Sequence, residues 1–553
     1  MQTQDYIVFL FYFIIVAGYG LYIYYKKKSA SGGSKDYFLA EGSLTWWAIG
    51  ASLIASNISA EQFIGMSGSG FKIGLAIATY EWMAAATLIV VAVFFLPVYL
   101  KNKIFTMPQF LNQRYNGTVS MIMAVFWLLL YIVVNLTSIL FLGALAVSSI
   151  SGLDFNLCMI GLAIFAIIIT LGGMKVIGYT DVVQVFFLIL GGLATTYLAL
   201  NLVSDHFGGS GILDGFALVQ DKAADHFHMI LKPENENYID LPGLSVLIGG
   251  MWVINLSYWG CNQYITQRAL GASLETARGG LLFAAVLKLL MPIIVVLPGI
   301  AALVLYNDGL FQKEMLANGE LNPDRAYPVL LSLLPTGLKG LSFAALTAAV
   351  VASLAGKANS VATIFTLDIY KKLFDKEASE RKLVNVGKIV IIISMVLAIL
   401  IAPHLGIDKK GGFQYIQEYT GFVSPGIFAM FLLGFFWKKT TSNAALFATI
   451  GGFLMSILLK FLPKFADLSF LSPSGFSVKV ASGVYEIPFI DRVGFVFVAC
   501  VIGMIIISIY DNRRGVVPNG LEIDAKMFKT STSFAVGALI VLGITAALYT
   551  IFW

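Results

Sequence analysis

Five polar side chains stand out because they interrupt long apolar segments of the sequence. These residues are Gln62, Glu81, Asn255, Lys288 and Gln417. An ionisable group inside a bilayer costs about 2.5–3.5 kcal/mol on insertion scales, so each one is a candidate for function. Together the five offer both donors and acceptors of hydrogen bonds. Such a mixed set suits the hydroxyl groups of a neutral sugar, which need both kinds of partner once they leave water.

Aromatic and acidic side chains near the same segments extend this chemistry. The rings that could close over the apolar face of a pyranose are Tyr80, Tyr258, Trp259 and Phe413. Ordinary packing in the protein interior is the alternative for these rings, as a structural ion pair is for Lys288. Asp181 and Gln184 begin the sixth apolar segment from its cytoplasmic end, where an interfacial position is the alternative.

Two of the apolar segments are interrupted near their middle. The second carries several polar residues between 56 and 62, and the seventh carries Gly249 and Gly250 followed by Asn255. These two lie five segments apart and, because five is odd, they cross the membrane in opposite directions. The pattern predicts two inverted five-helix repeats that hold substrate and ion at the midplane, beside the broken helices. Helix packing through Gly and Ser is the simpler alternative.

The composition requires a membrane protein. Hydrophobic residues make up 58% of the chain and charged residues only 12%, where a soluble protein has roughly 25% charged residues. This excludes a secreted disulfide scaffold, a disordered protein and a nucleic-acid binder. Since a spanning helix needs about 20 apolar residues, we predict an all-α membrane protein with about fourteen transmembrane helices. They are expected at 5–25, 45–70, 76–100, 119–148, 153–171, 180–203, 244–266, 279–305, 328–370, 387–403, 413–436, 443–462, 490–510 and 531–551.

The basic residues predict the orientation of these helices. Most of the 36 lysines and arginines fall in the loops on one side of the membrane. Cytoplasmic loops carry such an excess, so that side is cytoplasmic and both termini lie outside the cytoplasm. We expect a multi-pass protein of the inner, or plasma, membrane. The first segment is expected to be a retained span, because it lacks the cleavage pattern of a signal peptide.

Several motifs of the chain resemble the solute:sodium symporter family, within its sodium/glucose cotransporter group. The motifs are Phe38-Leu39-Ala40, Trp46-Trp47, Asn57-Ile58-Ser59-Ala60-Glu61-Gln62-Phe63, Gly172-Gly173 with Thr180-Asp181-Val182, and Asp368-Ile369-Tyr370. The resemblance implies fourteen spans, a LeuT-like core of two inverted five-helix repeats, and transport by alternating access. The repeats would occupy 45–203 and 244–436, with a peripheral first span at 5–25 and peripheral C-terminal spans at 443–553.

The resemblance also implies a role for each residue that matches the family's motifs. The sugar contacts would be Gln62, Glu81, Asn255, Lys288 and Gln417, with Tyr258 stacked on the sugar as the inner gate. The outer gate would be Met66, Tyr80 and Phe413. Sodium, which is transported rather than held as a prosthetic group, would bind the carbonyls of Ala55, Ile58 and Ala349 and the hydroxyl of Ser353. Asp181 would lie on the cytoplasmic exit path of the ion.

Three residues depart from the family's pattern. Ala84 replaces a serine sugar contact, Ala352 replaces one of two adjacent serines at the sodium site, and Lys357 replaces an apolar residue. Lys357 follows Ser353 by four residues, so both lie on one side of a helix. Its ammonium could act as a tethered cation at the sodium site and weaken sodium binding. The alternative is that Lys357 reaches the cytoplasm or pairs with Asp181, which leaves sodium coupling intact.

We therefore expect a symporter that couples inward sodium flow to uptake of a hexose of the galactose or glucose type. A sodium-independent or proton-coupled sugar carrier, with Lys357 in place of sodium, is the alternative. An enzyme is not expected, because the spans contain no Ser–His or Cys–His set and the chain has no His-Glu-x-x-His motif. A channel is also less favoured, since no TVGYG-like filter is present. The expected partners are the hexose, sodium and membrane lipid, without nucleic acid; the sequence leaves the oligomeric state open.

Overall fold

The computed structural model describes residues 2–26, 44–317, 319–404 and 412–553. The Phe38-Leu39-Ala40 motif lies outside these residues. The first half of the chain, up to residue 222, forms helices α1 (Thr3–Lys26), α2 (Trp46–Asn57), α3 (Ser67–Ile73), α4 (Thr79–Val90), α5 (Leu96–Lys101), α6 (Met107–Arg114), α7 (Gly117–Leu129), α8 (Thr137–Ser151), α9 (Phe155–Thr170), α10 (Met174–His206) and α11 (Gly211–Lys222).

The second half of the chain is also mainly helical. It contains α12 (Gly243–Ile248), α13 (Gly250–Cys261), α14 (Gln263–Leu270), α15 (Leu274–Asn307), α16 (Ala326–Ser332), α17 (Leu338–Thr363), α18 (Lys371–Leu373), α19 (Glu380–Ile401), α20 (Gly412–Gly421), α21 (Ser424–Phe436), α22 (Ser442–Leu446), α23 (Gly452–Phe461), α24 (Phe489–Arg513) and α25 (Thr532–Ile551). Two antiparallel hairpins of two-residue strands pair β1 (Leu316–Ala317) with β2 (Glu320–Leu321), and β3 (Val478–Lys479) with β4 (Tyr485–Glu486).

These helices confirm the prediction of an all-α membrane protein. In the described part of the chain, ten helices are long and apolar enough to cross a bilayer. Two further pairs of helices pass the same test together but are bent, and they bring the number to twelve. The segment expected at 328–370 is divided between α16 and α17, where Gly337 takes a positive φ of 88°.

The second span breaks because its side chains replace helical hydrogen bonds. Helix α2 ends at Asn57, and Ile58 is extended, with φ −79° and ψ 104°. The hydroxyl of Ser59 accepts from the backbone N–H of Glu61 at 3.1 Å, and Oε1 of Gln62 accepts from the N–H of Ser59 at the same distance. Ser and Asn side chains often compete with the helix in this way. The chain resumes as a π-helical turn over Glu61–Met66, followed by α3.

The seventh span breaks at its glycines. Gly249 takes φ −120° and ψ −123°, and the segment Glu236–Ile248 meets α13 there at an angle of 79°. A Cβ on Gly250 would lie 1.9 Å from the carbonyl oxygen of Ile490, so only glycine allows this close approach. Both interruptions predicted from the sequence are confirmed.

The chain forms two compact units. The first contains residues 1–78, 128–228 and 286–416. In it, α17 is buried along most of its length and packs against α1, α2, α8, α9, α10 and α19. Small Ala, Gly, Ser and Thr side chains on α17 allow these helices to approach closely.

The second unit contains residues 79–127, 229–285 and 417–553. In it, α13 packs against α4, α21 and α24, and α4 packs against α25.

Candidate functional site

The break in the second span places backbone carbonyls around one hydroxyl group of α17. Ser353 Oγ lies 3.2 Å from the carbonyl oxygen of Ala55, 3.1 Å from that of Ser56 and 3.5 Å from that of Ile58. A serine hydroxyl has one proton to donate, so the cluster contains more acceptors than this donor can serve. Unwound carbonyls and a hydroxyl are the oxygen ligands with which broken helices hold alkali cations. The structure thus brings together three of the four predicted sodium ligands, Ala55, Ile58 and Ser353.

Ala349 and Asp181 flank this cluster in the same unit. Ala349, the fourth predicted ligand, lies one helical turn before Ser353 on α17 and is fully buried. Asp181 is also buried, so it does not occupy a solvated interfacial position. Its Oδ2 accepts a hydrogen bond from Ser52 Oγ at 2.6 Å. Ser52 precedes Ser56 by one turn of α2, so the carboxylate is attached to the helix whose end supplies the carbonyls.

Lys357 has a partner that the sequence analysis did not consider. Its Nζ lies 4.0 Å from Oε1 of Glu61, and both side chains are buried in the protein. Ser138, on α8, donates its hydroxyl to the same carboxylate oxygen at 3.4 Å. The alternative in which Lys357 reaches the cytoplasm is not supported, because its side chain is buried beside the carboxylate of Glu61.

Lys288 is directed to the break in the second span. Its ammonium donates a hydrogen bond to Oδ1 of Asn57, the last residue of α2. Lys288 is 1% exposed and Gln62 is 4% exposed, so both predicted sugar contacts of this unit are buried. Gln62 lies in the π-helical turn just after the break. The hydrogen bond between Lys288 and Asn57 connects α15 to the segment that also carries the carbonyl cluster.

Two of the predicted outer-gate residues, Met66 and Phe413, lie buried in the first unit. Phe413 packs closely against Gly65, the residue that precedes Met66. A Cβ on Gly65 would lie 2.8 Å from the backbone nitrogen and 2.9 Å from the Cβ of Phe413. The start of α20 therefore packs directly on the π-helical turn, where a larger residue than glycine would push it away.

The remaining predicted site residues belong to the second unit. Tyr80 and Glu81 are buried on α4, and Asn255 is buried on α13, where its side-chain amide donates to the carbonyl of Met251 at 3.2 Å. Since α4 and α13 pack against each other, these residues lie on neighbouring helices. Gln417, on α20, is half-buried.

Tyr258, the predicted inner gate, is half-buried on α13 and has two aromatic neighbours. Its ring centroid lies 5.1 Å from that of Trp259 and 5.7 Å from that of Tyr264, both nearly perpendicular to it. The hydroxyl of Tyr264 donates to that of Tyr258. Asn262 is extended between α13 and α14, so the two tyrosines come from different helices. The hydrogen bond and the edge contact with Tyr264 fix the orientation of the Tyr258 ring.

Sequence reasoning missed three polar partners of the predicted residues: Ser52, Asn57 and Glu61. All three lie in the second span, and Glu61 carried the signal that was needed. Glu61 and Lys357 are opposite charges in apolar segments, and buried charges are rarely left unpaired. Asp181 was the acidic partner considered for Lys357 from the sequence, whereas the packing of α17 places Glu61 beside it.

Comparison with known proteins shows similarity to sodium-coupled symporters. A model of the sodium:solute symporter family matches residues 37–452. The chain is 46% identical over 560 residues to the sodium/glucose cotransporter of Vibrio parahaemolyticus, covering 99% of this chain and 98% of that protein. It is 34% identical over 484 residues to the sodium/myo-inositol cotransporter 2 of Homo sapiens, covering 83% of this chain and 70% of that protein.

A solved structure shares the fold. It is the substrate-bound, outward-open state of a sodium-coupled sialic acid symporter, with a TM-score of 0.76 at 23% sequence identity. The superposition covers 92% of this chain and 98% of that one. At this level of identity the similarity establishes the fold alone.

Proposed function

Because the chain belongs to the sodium:solute symporter family, and is therefore a sodium-coupled solute transporter rather than an enzyme, we propose that it couples inward sodium flow to hexose uptake by alternating access. The observation that carries the proposal is the cluster of carbonyl oxygens around Ser353 at the break of the second span. Within the proposed glucose or galactose type, the name of the Vibrio relative, a sodium/glucose cotransporter, supports glucose.

The proposed architecture is fourteen spans, with inverted repeats at 45–203 and 244–436. Two elements supplement the ten long helices and two bent pairs. One is the 16-residue apolar helix α9. The other is the broken segment α2–α3, whose halves are each too short to span alone. Counting both as spans gives fourteen. The excess of basic residues on one side supports an inner-membrane protein with both termini outside the cytoplasm.

Sodium would be held by the carbonyls of Ala55, Ile58 and Ala349 and the hydroxyl of Ser353. An ion there would tie the second span to α17, so its binding energy would favour the conformation in which the two are joined. Coupling requires that sodium bind the outward-open state more tightly than the inward-open state. The membrane potential then adds about 2.3 kcal/mol per charge per 100 mV to the driving force. Asp181 would act on the exit path, as a buried carboxylate held by Ser52.

The hexose would be recognised by the five polar residues identified in the sequence. Lys288 offers donors, Glu81 offers acceptors, and the amides of Gln62, Asn255 and Gln417 offer both. Burial of the first four supports this role, since a buried polar group gains most from a matching partner.

Three aromatic or apolar side chains, Met66, Tyr80 and Phe413, would close the outer path to this sugar site. Tyr258 would close the inner path. Burial of the three outer-gate residues and the contact between Tyr258 and Tyr264 support these roles.

Uptake by proteoliposomes tests the proposed function. Radiolabelled glucose and galactose are offered to vesicles that contain the purified protein, with an inward sodium gradient or with potassium on both sides. We expect saturable accumulation above the outside concentration only when the gradient is imposed. Equal uptake in both conditions, or accumulation driven by a proton gradient in the absence of sodium, would contradict sodium coupling. The position of the Lys357 ammonium beside Glu61 favours the sodium-coupled result.

A further inference from the structure

A buried ion pair joins the same two elements that the proposed sodium site joins. Glu61 opens the π-helical turn of the second span, and Lys357 lies on α17. Their charged atoms lie 4.0 Å apart, with side chains that are 10% and 4% exposed. Ser138 of α8 donates a further hydrogen bond to Glu61. The second span is thus attached to α17 by charges that belong to the protein.

The two attachment points are close along both elements. Ser353 and Lys357 are separated by four residues, so they lie on one face of α17. Ile58, whose carbonyl approaches Ser353, precedes Glu61 by three residues. Around Ser353 the groups that join the two elements are oxygens only, which suits a bound cation. Between Glu61 and Lys357 an anion and a cation are already present.

The Glu61–Lys357 pair also explains how the cationic side chain of Lys357 can lie near the proposed sodium site. Lys357 alone would repel sodium, because like charges disfavour each other at short range. With Glu61 beside it, the formal charges of the pair cancel, and little net repulsion acts on an ion at Ser353. The attraction between the paired groups is strong because protein, rather than water, surrounds them. Both attachments can therefore exist together.

We propose that the Glu61–Lys357 pair is a resident link that joins the second span to α17 without sodium and so lowers the sodium requirement for sugar binding. This inference rests on the proposed function. Sodium raises sugar affinity only by increasing the population of the binding-competent state. If the pair already stabilises the binding-competent state, most molecules occupy that state before sodium binds. Sodium then increases its population less and has a smaller effect on sugar affinity.

The test measures equilibrium binding of radiolabelled glucose to the purified full-length protein. The dissociation constant is determined in sodium-free choline buffer and in saturating sodium, and the ratio of the two is compared between variants. In the double variant Glu61→Gln with Lys357→Met, which removes both charges of the pair, we expect this ratio to rise by about tenfold or more. The reversed pair, Glu61→Lys with Lys357→Glu, should bring the ratio back toward that of the parent.

A matched control is present in the segment that follows α17. Asp368 and Lys372 form an ion pair of 3.0 Å within one helical segment, so that pair joins no separate elements. The double variant Asp368→Asn with Lys372→Met should leave the ratio unchanged. Size-exclusion profiles in detergent establish that each variant is folded before its binding is compared.

The outcomes separate this inference from the proposed function. A ratio in the Glu61→Gln, Lys357→Met variant that stays within about twofold of a sodium-dependent parent overturns the resident link. The inference also fails if the reversed pair behaves like the neutral one. Sugar binding that ignores sodium in the parent and in all variants instead overturns sodium coupling, and with it the proposed function.

Discussion

The substitution Ser353→Ala tests the proposed sodium site most directly. Ser353 is fully buried, and its hydroxyl is the one side-chain group among the four proposed ligands. The substitution removes a single oxygen and leaves the carbonyls of Ala55 and Ile58 in place. Because α17 is a regular helix at this position, alanine also preserves the backbone.

The size of the effect follows from the contacts of that hydroxyl. Its oxygen lies within 3.1–3.5 Å of three carbonyl oxygens, so a cation among them would lose one ligand of a small set. Leaving a buried polar group without its partner costs about 1–3 kcal/mol. We therefore expect the sodium concentration for half-maximal sugar uptake to rise by roughly 5–150-fold.

The assay is sugar uptake by proteoliposomes over a series of sodium concentrations, at fixed sugar. Thr347→Val is a matched control, because Thr347 lies on the same helix and its buried hydroxyl donates only to the carbonyl of Phe343, within the helix, at 2.8 Å. Ser353→Thr keeps a hydroxyl and should recover part of the lost affinity. Ala352→Ser adds a second hydroxyl beside Ser353 and should lower the half-maximal concentration.

Two results would refute a sodium ligand at Ser353. If Ser353→Ala and Thr347→Val show the same half-maximal sodium concentration as the parent, the hydroxyl is not an ion ligand. A fall in the maximal rate alone, with an unchanged sodium dependence, would assign Ser353 only a packing role.

Three further predictions concern the sugar site and its gates. Gln62→Ala should lower the rate of sugar uptake at low sugar concentration by roughly 5–150-fold, since a sugar hydroxyl loses a partner worth about 1–3 kcal/mol. Uptake at the parent's rate would show that the sugar site lies elsewhere. Tyr258→Ala should speed the release of bound sugar in exchange assays, and an unchanged exchange rate and affinity would remove its gate role. Gly65→Ala should impair transport and lower the melting temperature, because its Cβ would meet the backbone of Phe413 at 2.8 Å, whereas Gly161→Ala, with open space around it, should do neither.

The breaks in the second and seventh spans were predictable because their causes are local. Ser59 and Gln62 form hydrogen bonds with backbone groups two or three residues away, and such competition can be read from residue type. Gly249 and Gly250 indicate the break in the seventh span, because glycine has no side chain and adopts backbone conformations that interrupt a helix. A membrane protein of apolar helices was equally predictable, since the length and polarity of apolar segments can be read directly from the sequence.

The partners of the buried charges were not predictable in the same way. Lys288 and Asn57 are 231 residues apart in the chain, and their contact depends on which turns of two helices face each other. From the sequence, Asp181 was the acidic partner considered for Lys357, and Glu61 was not recognised as one. The choice is made by the packing of α17 against the second span, which places Glu61 at 4.0 Å.

The proposed ion and sugar functions meet in one short stretch of the second span. Asn57, which binds the proposed sugar contact Lys288, lies between Ser56 and Ile58, whose carbonyls approach Ser353. A movement of α17 that followed ion binding at the proposed site would therefore displace the carbonyls on both sides of Asn57. Because the side chain of Asn57 holds Lys288, the same movement would change the position of that ammonium relative to the sugar. With the proposed sites, coupling between ion and sugar would need no distant pathway, since the Ser56 and Ile58 carbonyls and the Asn57 side chain would carry it.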